Sequence, residues 1–118
     1  MSESKIRRKN KAFSVTLDAA VSNATEIVLV DMAGGMVSVG TQNTNATQLA
    51  VHVASTSAGT YRPLYDKDGA AVKITLAPST ADSRVYAMPD EVFAAPFIKL
   101  VLNNTAANGL SATILAKG

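Results

Sequence analysis

The chain of 118 residues contains no cysteine and no tryptophan, and it has a single histidine, His52. The absence of cysteine excludes disulfide bridges, thiolate metal sites and a cysteine nucleophile. His52 is the only side chain with an ordinary pKa near neutral pH, so general acid–base catalysis has few candidates. We therefore expect no enzymatic activity, no catalytic residues, no metal site and no cofactor.

Long hydrophobic runs are also missing. No stretch approaches the ~18 consecutive apolar residues of a membrane span, so we expect no membrane partner. The basic N-terminus followed by Ala12–Leu17 imitates the start of a signal peptide, but Asp18 ends the apolar run after six residues. Signal peptides need about 7 to 15 such residues. We expect a soluble protein that is made in the cytoplasm of its producing cell.

Positive charge is concentrated at the N-terminus. The whole chain carries +2, of which the first eleven residues supply +4, so residues 12–118 carry −2. A nucleic-acid footprint would spread over the folded surface, and we therefore expect no nucleic-acid partner. The pattern predicts a flexible basic arm over residues 1–11 and one domain over residues 12–118. The basic residues of the arm are Lys5, Arg7, Arg8, Lys9 and Lys11.

Apolar residues alternate with polar ones over several short segments, as in Phe13–Leu17, Leu49–Val53 and Val72–Leu76. A period of two is typical of strands with one buried face. Turn signals separate these segments at intervals of roughly 8 to 12 residues. The sequence therefore predicts an all-β fold, an antiparallel β-sandwich or jelly roll of about eight short strands.

Further patterns predict how these strands connect. Gly34–Gly35 favours a tight hairpin turn between a strand over Glu26–Met32 and one over Met36–Val39. Pro63 cannot donate to a ladder and so favours an edge strand. We also predict a turn at Asp66–Gly69, one helical or 3₁₀ turn at Pro89–Phe93, and a closing hairpin between Phe97–Leu102 and Leu110–Leu115.

The segment Glu26–Met32 is apolar on both faces of its predicted strand. A strand of this kind is covered on both sides or lies at a subunit interface. We take it as the candidate subunit interface, and the alternative is a central strand whose second face lies under a loop. The interface residues would be Ile27, Val28, Leu29, Val30 and Met32.

Three polar or aromatic motifs have structural interpretations beside functional ones. His52 shares the parity of Gln48, which places it on a polar outward face. Asp66, Asp68 and Gly69 resemble the start of a calcium loop, but Ala77 stands where the closing glutamate belongs, so a hairpin turn is the simpler explanation. The tyrosines could form a platform for sugars or pack at a sheet edge. They are Tyr61, Tyr65 and Tyr86.

Five segments within about the last seventy residues follow one another in a particular order, namely Leu49–Ser55, Gly59–Gly69, Pro89–Phe93, Phe97–Leu100 and Leu110–Leu115. Together they resemble small structural proteins of tailed bacteriophages. In that family a strand ending in a small-residue loop precedes a Tyr-x-x-Leu-Tyr-Asp-x-x-Gly hairpin, a turn that begins with proline, and a Phe-Ile-Lys strand. An Asn-rich loop and a last strand close the pattern.

The resemblance implies a head decoration (cement) protein, synthesised in the host bacterial cytoplasm, that binds the major capsid protein on the outer surface of the virion and stabilises the capsid. Three-fold lattice sites favour a homotrimer. The basic arm would contact the capsid, and the alternative is a disordered solubilising tail. A phage tail or fibre protein, or a receptor (glycan)-binding module, is the alternative function, and nucleic-acid binding through the arm is a third.

Overall fold

The computed structural model describes residues 10–39, 48–76, 84–103 and 110–118. They form nine β-strands and two short 3₁₀ turns at Val21–Asn23 and Asp90–Ala94. The expected all-β antiparallel sandwich is confirmed. Its strands are β1 (Asn10–Leu17), β2 (Ile27–Val28), β3 (Gly34–Val39), β4 (Gln48–Ala54), β5 (Arg62–Pro63), β6 (Lys73–Thr75), β7 (Arg84–Ala87), β8 (Phe97–Leu102) and β9 (Leu110–Lys117).

The strands form two sheets. Sheet A has the order β1-β9-β3-β7, and sheet B has the order β2-β8-β4-β5, with β6 also pairing with β4. All of these strand pairings are antiparallel. The first and last strands pair over their full length, from Asn10 opposite Lys117 to Leu17 opposite Leu110. The two ends of the described chain therefore lie together in one sheet.

The core lies between the inner faces of the two sheets, and the period-two patterns point into it as predicted. Val15 and Leu17 of β1 are buried, as are Leu49 and Val51 of β4. Fully burying such an aliphatic side chain contributes about 1.5–3 kcal/mol. The largest fully buried side chains are Leu17, Ile27, Leu29, Val37, Leu49, Val51, Val92, Ile98, Leu100 and Ile114.

The connection between β2 and β3 differs from the predicted Gly34–Gly35 hairpin, which is wrong. The chain turns at Val30 and Asp31, where Asp31 adopts a left-handed conformation with φ 70°. Aspartate tolerates this conformation because its short polar side chain hydrogen-bonds locally. Both glycines instead begin β3, and β2 and β3 lie in different sheets.

The predicted closing hairpin between β8 and β9 is also wrong. β8 pairs with β4 and β2 in sheet B, whereas β9 pairs with β1 and β3 in sheet A. An alternating strand buries its apolar face equally well from either sheet of a sandwich, so the pattern alone does not separate a hairpin from a crossing between sheets.

Other local predictions are confirmed. Pro63 lies in β5 at the edge of sheet B. The backbone N–H of Gly69 donates to the Asp66 carbonyl at 3.1 Å, which closes the predicted turn, and Gly69 has a positive φ of 84°. The 3₁₀ turn at Asp90–Ala94 follows Pro89. The polar run Asn43–Thr47 and the segment 77–83 with its Pro78 also indicate loops, and both lie outside the described residues.

Candidate functional site

The outer face of sheet A is a regular surface built from four strands. Because all four strands are in register, their outward side chains form rows across the sheet. One row consists of Ala12, Leu115, Met36 and Ala87. The next row consists of Ser14, Thr113, Ser38 and Val85.

This outer face carries almost no charge. Lys117, at one end, is the only charged residue among its thirteen positions. Three larger apolar side chains stand in contact with solvent, with Met36 48% exposed, Leu115 42% and Val85 55%. Depletion of charge and exposed apolar side chains are typical of a protein–protein interface. The remaining positions are Asn10, Ala12, Ser14, Thr16, Gly34, Ser38, Ala87, Ser111 and Thr113.

An open groove of about 640 Å³ lies at one end of this face. Ala12, Gly34, Met36 and Leu115 line it. Sequence reasoning missed these residues as a site, although one signal was present. Ala112, Ile114 and Ala116 share the inward parity of β9, which leaves Leu115 pointing outward against the usual placement of leucine.

The candidate interface over Glu26–Met32 is divided by the fold. Ile27, Leu29 and Met32 belong to the core between the sheets, whereas Val28 and Val30 are exposed. The segment thus presents two apolar side chains to solvent and not five, because its strand is only two residues long and the chain turns after it. The interface stays a prediction that rests on Val28 and Val30.

The basic arm lies almost entirely outside the described residues, which begin at Asn10. The described part of the chain therefore does not include Lys5, Arg7, Arg8 and Lys9. Lys11 lies within β1 opposite Ala116, and its Nζ sits 4.9 Å from the centre of the Phe13 ring. A cation over an aromatic ring is attracted by the negative face of that ring.

A polar cluster lies around Glu26, just before β2 of sheet B. Its carboxylate accepts hydrogen bonds from Ser57 Oγ at 2.9 Å, from the Ala58 backbone N–H at 2.8 Å and from the Tyr61 hydroxyl. These hydrogen bonds lower the pKa of Glu26, and the one from Tyr61 has the largest effect. Burial and the hydrogen bond to Glu26 raise the pKa of Tyr61. A carboxylate so satisfied acts as an anchor for the segment after β4.

Lys99 and His52 lie on the same side of sheet B. The Lys99 Nζ donates to the Val21 carbonyl at 2.9 Å and lies 4.8 Å from the centre of the Tyr61 ring. His52 opposes Lys99 in the β4–β8 register and points outward as predicted, but it is half-buried. Burial lowers the pKa of His52.

The three tyrosines do not form one platform. Tyr61 and Tyr65 flank β5 at the edge of sheet B, whereas Tyr86 lies in β7 of sheet A. The Tyr61 ring is covered by Lys99, so Tyr65 is the only one of the three that is an exposed large hydrophobic side chain. Packing at sheet edges, the structural interpretation of these residues, fits this arrangement.

Asp66 is engaged by its own turn, as the hairpin interpretation of the calcium-like motif predicts. Its Oδ1 accepts the backbone N–H groups of Asp68 and Ala70, each at 2.9 Å. In the four described ranges, no three histidine, aspartate or glutamate side chains lie close enough together to hold a metal ion.

No helix in the part of the chain that the structure describes is both long and apolar enough to cross a membrane. Comparison of the chain with protein-family models, with curated proteins and with solved structures finds no match in any of the three.

Proposed function

We propose that this chain is a non-enzymatic structural protein of a tailed-phage virion, which decorates and stabilises the outer surface of the capsid by binding the major capsid protein. The observation that carries the proposal is the outer face of sheet A, with its in-register rows and its exposed Met36, Leu115 and Val85. A surface with a single charged residue and several exposed apolar side chains suits docking on another protein.

The resemblance of the last seventy residues to phage structural proteins supports the same proposal. The segment Tyr61–Gly69, which carries the hairpin motif of the resemblance, is held by hydrogen bonds within the fold. The Tyr61 hydroxyl donates to Glu26, and the Asp66 carboxylate accepts a backbone N–H of its own turn. A decoration protein can bind the capsid through weak contacts that are repeated in every copy, because many copies on a lattice convert modest single-site affinity into lasting attachment.

Copy number is the first test. Quantitative mass spectrometry of purified phage particles would compare this chain with the major capsid protein. A ratio near one, or a simple fraction such as one third, supports a shell protein. A few copies per particle would favour the tail or fibre alternative, and complete absence would overturn the proposal.

A matched pair of variants tests the docking face. We expect Met36→Glu combined with Leu115→Glu to abolish binding to particles that lack this protein, because it places two charges in the middle of the uncharged face. Val30→Glu is the control, since Val30 is 50% exposed, close to the 48% of Met36, but lies in the turn after β2. If Val30→Glu alone prevented binding, the segment 26–32 would be the docking surface instead.

The arm is tested by deletion of residues 2–9, because Asn10 and Lys11 belong to β1 and their loss would disturb sheet A. If the basic residues contact the capsid, the deletion weakens particle binding, raised salt weakens the wild-type binding, and the melting temperature stays unchanged. Binding that survives the deletion would identify the arm as a solubilising tail.

A further inference from the structure

β1 is the longest edge strand among the described strands of the two sheets. It spans eight residues, whereas the outer strand β7 has four and β2 has two. At the remaining side of sheet B, β5 and β6 have two and three residues. Short outer strands protect a sheet from pairing with other chains, and a long one presents a template for such pairing.

The backbone of β1 has hydrogen-bonding groups that point away from its neighbour β9. The Thr16 N–H donates to Thr25 Oγ1 at 3.0 Å, and the Thr16 carbonyl accepts the Thr25 N–H at 3.3 Å, so the backbone groups of Thr16 face outward. In an antiparallel ladder the direction alternates, so those of Asn10, Ala12 and Ser14 face outward too. No backbone hydrogen bond joins Ala12 or Ser14 to any described residue on that side.

We propose that two copies of this chain associate by antiparallel pairing of their β1 strands about a two-fold axis at Ala12. In this register Ala12 opposes Ala12 of the second copy, and Asn10 opposes Ser14 of the second copy. The outward-facing backbone N–H and carbonyl groups of Asn10, Ala12 and Ser14 then hydrogen-bond to those of the second copy. Pairing stops before Thr16, because the backbone groups of Thr16 already hydrogen-bond to Thr25.

For two copies of this chain, charge favours antiparallel over parallel pairing of the β1 strands. Lys5, Arg7, Arg8 and Lys9 directly precede β1 in sequence. Parallel pairing would start both strands, and so both basic runs, at the same end of the dimer, whereas antiparallel pairing starts them at opposite ends. Ala12 and Ser14 are also small, so the axis has room for close approach.

This association is independent of the proposed function, but it would enlarge the docking face. Residues that oppose each other in a ladder lie on the same face, so Ala12 keeps both outer faces of sheet A on one side. The result is one continuous sheet of eight strands with two uncharged faces next to each other. The two-fold arrangement differs from the expected trimer, which was based on the three-fold sites of a capsid lattice.

A charge exchange at position 12 tests the axis. Sedimentation velocity of the full chain should show a dimer, and Ala12→Lys and Ala12→Glu alone should each raise the dissociation constant several-fold, because like charges meet at the axis. Ala12 is exposed, so neither change disturbs the core. An equimolar mixture of the two variants should restore the dimer. A wild-type monomer at every concentration up to its solubility limit, a trimer, or a mixture that stays dissociated would each overturn the proposal.

Proline at position 14 provides a second test. The Ser14 N–H faces away from β9, so Ser14→Pro removes a donor from the new pairing and none from sheet A. We expect the dissociation constant to rise at least about tenfold, with unchanged circular dichroism, while Ser14→Ala, which keeps the N–H, stays dimeric. A Ser14→Pro chain that folds and dimerises like Ser14→Ala would contradict pairing through β1.

Discussion

The hydroxyl of Tyr61 donates a hydrogen bond to the carboxylate of Glu26, 35 residues earlier in the chain. Glu26 directly precedes β2, and Tyr61 precedes β5, so the contact joins the two far sides of sheet B. The same carboxylate holds Ser57 and the Ala58 N–H in the intervening loop. Ala58 adopts a positive φ of 55°, and its hydrogen bond to Glu26 stabilises that backbone conformation.

We expect Glu26→Ala to lower the free energy of unfolding by about 1 kcal/mol, a modest value because the cluster is partly open to solvent. Tyr61→Phe removes one of the three hydrogen bonds and should cost less. In a double-mutant cycle measured by urea unfolding, Glu26 and Tyr61 should couple by about 0.5–1.5 kcal/mol. Coupling near zero would show that the carboxylate holds the loop without help from Tyr61.

The lowered pKa of Glu26 predicts that the free energy of unfolding decreases at acidic pH. Its pKa in the folded chain lies below the ordinary 4.5, since the hydrogen bonds from Tyr61 and Ala58 favour the charged form. The contribution is therefore complete above pH 4.5 and disappears as the pH falls through the folded-state pKa. Glu26→Gln should flatten the dependence of the free energy of unfolding on pH in this acid range, and an unchanged slope would contradict the assignment.

His52 affects the stability of the fold in a separate pH range, above that of Glu26. Burial lowers its pKa below the ordinary 6.5, and its Nδ1 has no hydrogen-bond partner among the residues that the structure describes. The unfolded chain therefore takes up a proton first, and stability falls as the pH drops below 6.5 toward the folded-state pKa. We expect His52→Val to remove this loss, as measured by chemical unfolding between pH 7 and pH 5. A variant with the same slope as the wild type would show that His52 titrates normally.

The sequence predicted most of the individual strands because their inward residues alternate. Val15, Leu17, Leu49 and Val51 were placed correctly on that basis alone. The order of strands in the sheets was beyond the same reasoning, since an alternating strand such as β9 buries one face whichever sheet it joins. Pairing between distant strands depends on the complementarity of whole surfaces, which a local pattern does not contain.

The candidate site was hidden for a related reason. The outer face of sheet A gathers residues from four strands, and its members, such as Ser38 and Thr113, are ordinary outward residues when each strand is considered alone. Only the register shows that Lys117 is the single charged residue of the whole surface. The segment 26–32 drew attention instead because its apolar residues are consecutive, although the turn at Asp31 separates Val30 from the core.

Gly34 and Gly35 provide a matched pair that tests the architecture of β3. A Cβ on Gly35 would lie 2.6 Å from the Leu115 carbonyl oxygen and 3.3 Å from Cζ of Phe93, whereas a Cβ on Gly34 would meet nothing within 4 Å. The close approach at Gly35 involves the backbone of β9, which is held in its own ladder to β1 and β3.

We therefore expect Gly35→Ala to destabilise the fold by about 1–3 kcal/mol, since β3 or β9 must shift to relieve the overlap. Gly34→Ala should be neutral or slightly stabilising, because alanine restricts the unfolded chain and Gly34 has an extended conformation with free space around it. Thermal unfolding of the two variants measures the difference. Equal melting temperatures would mean that β3 and β9 do not approach each other at Gly35, and the register between Met36 and Leu115, on which the uncharged face depends, would then be incorrect.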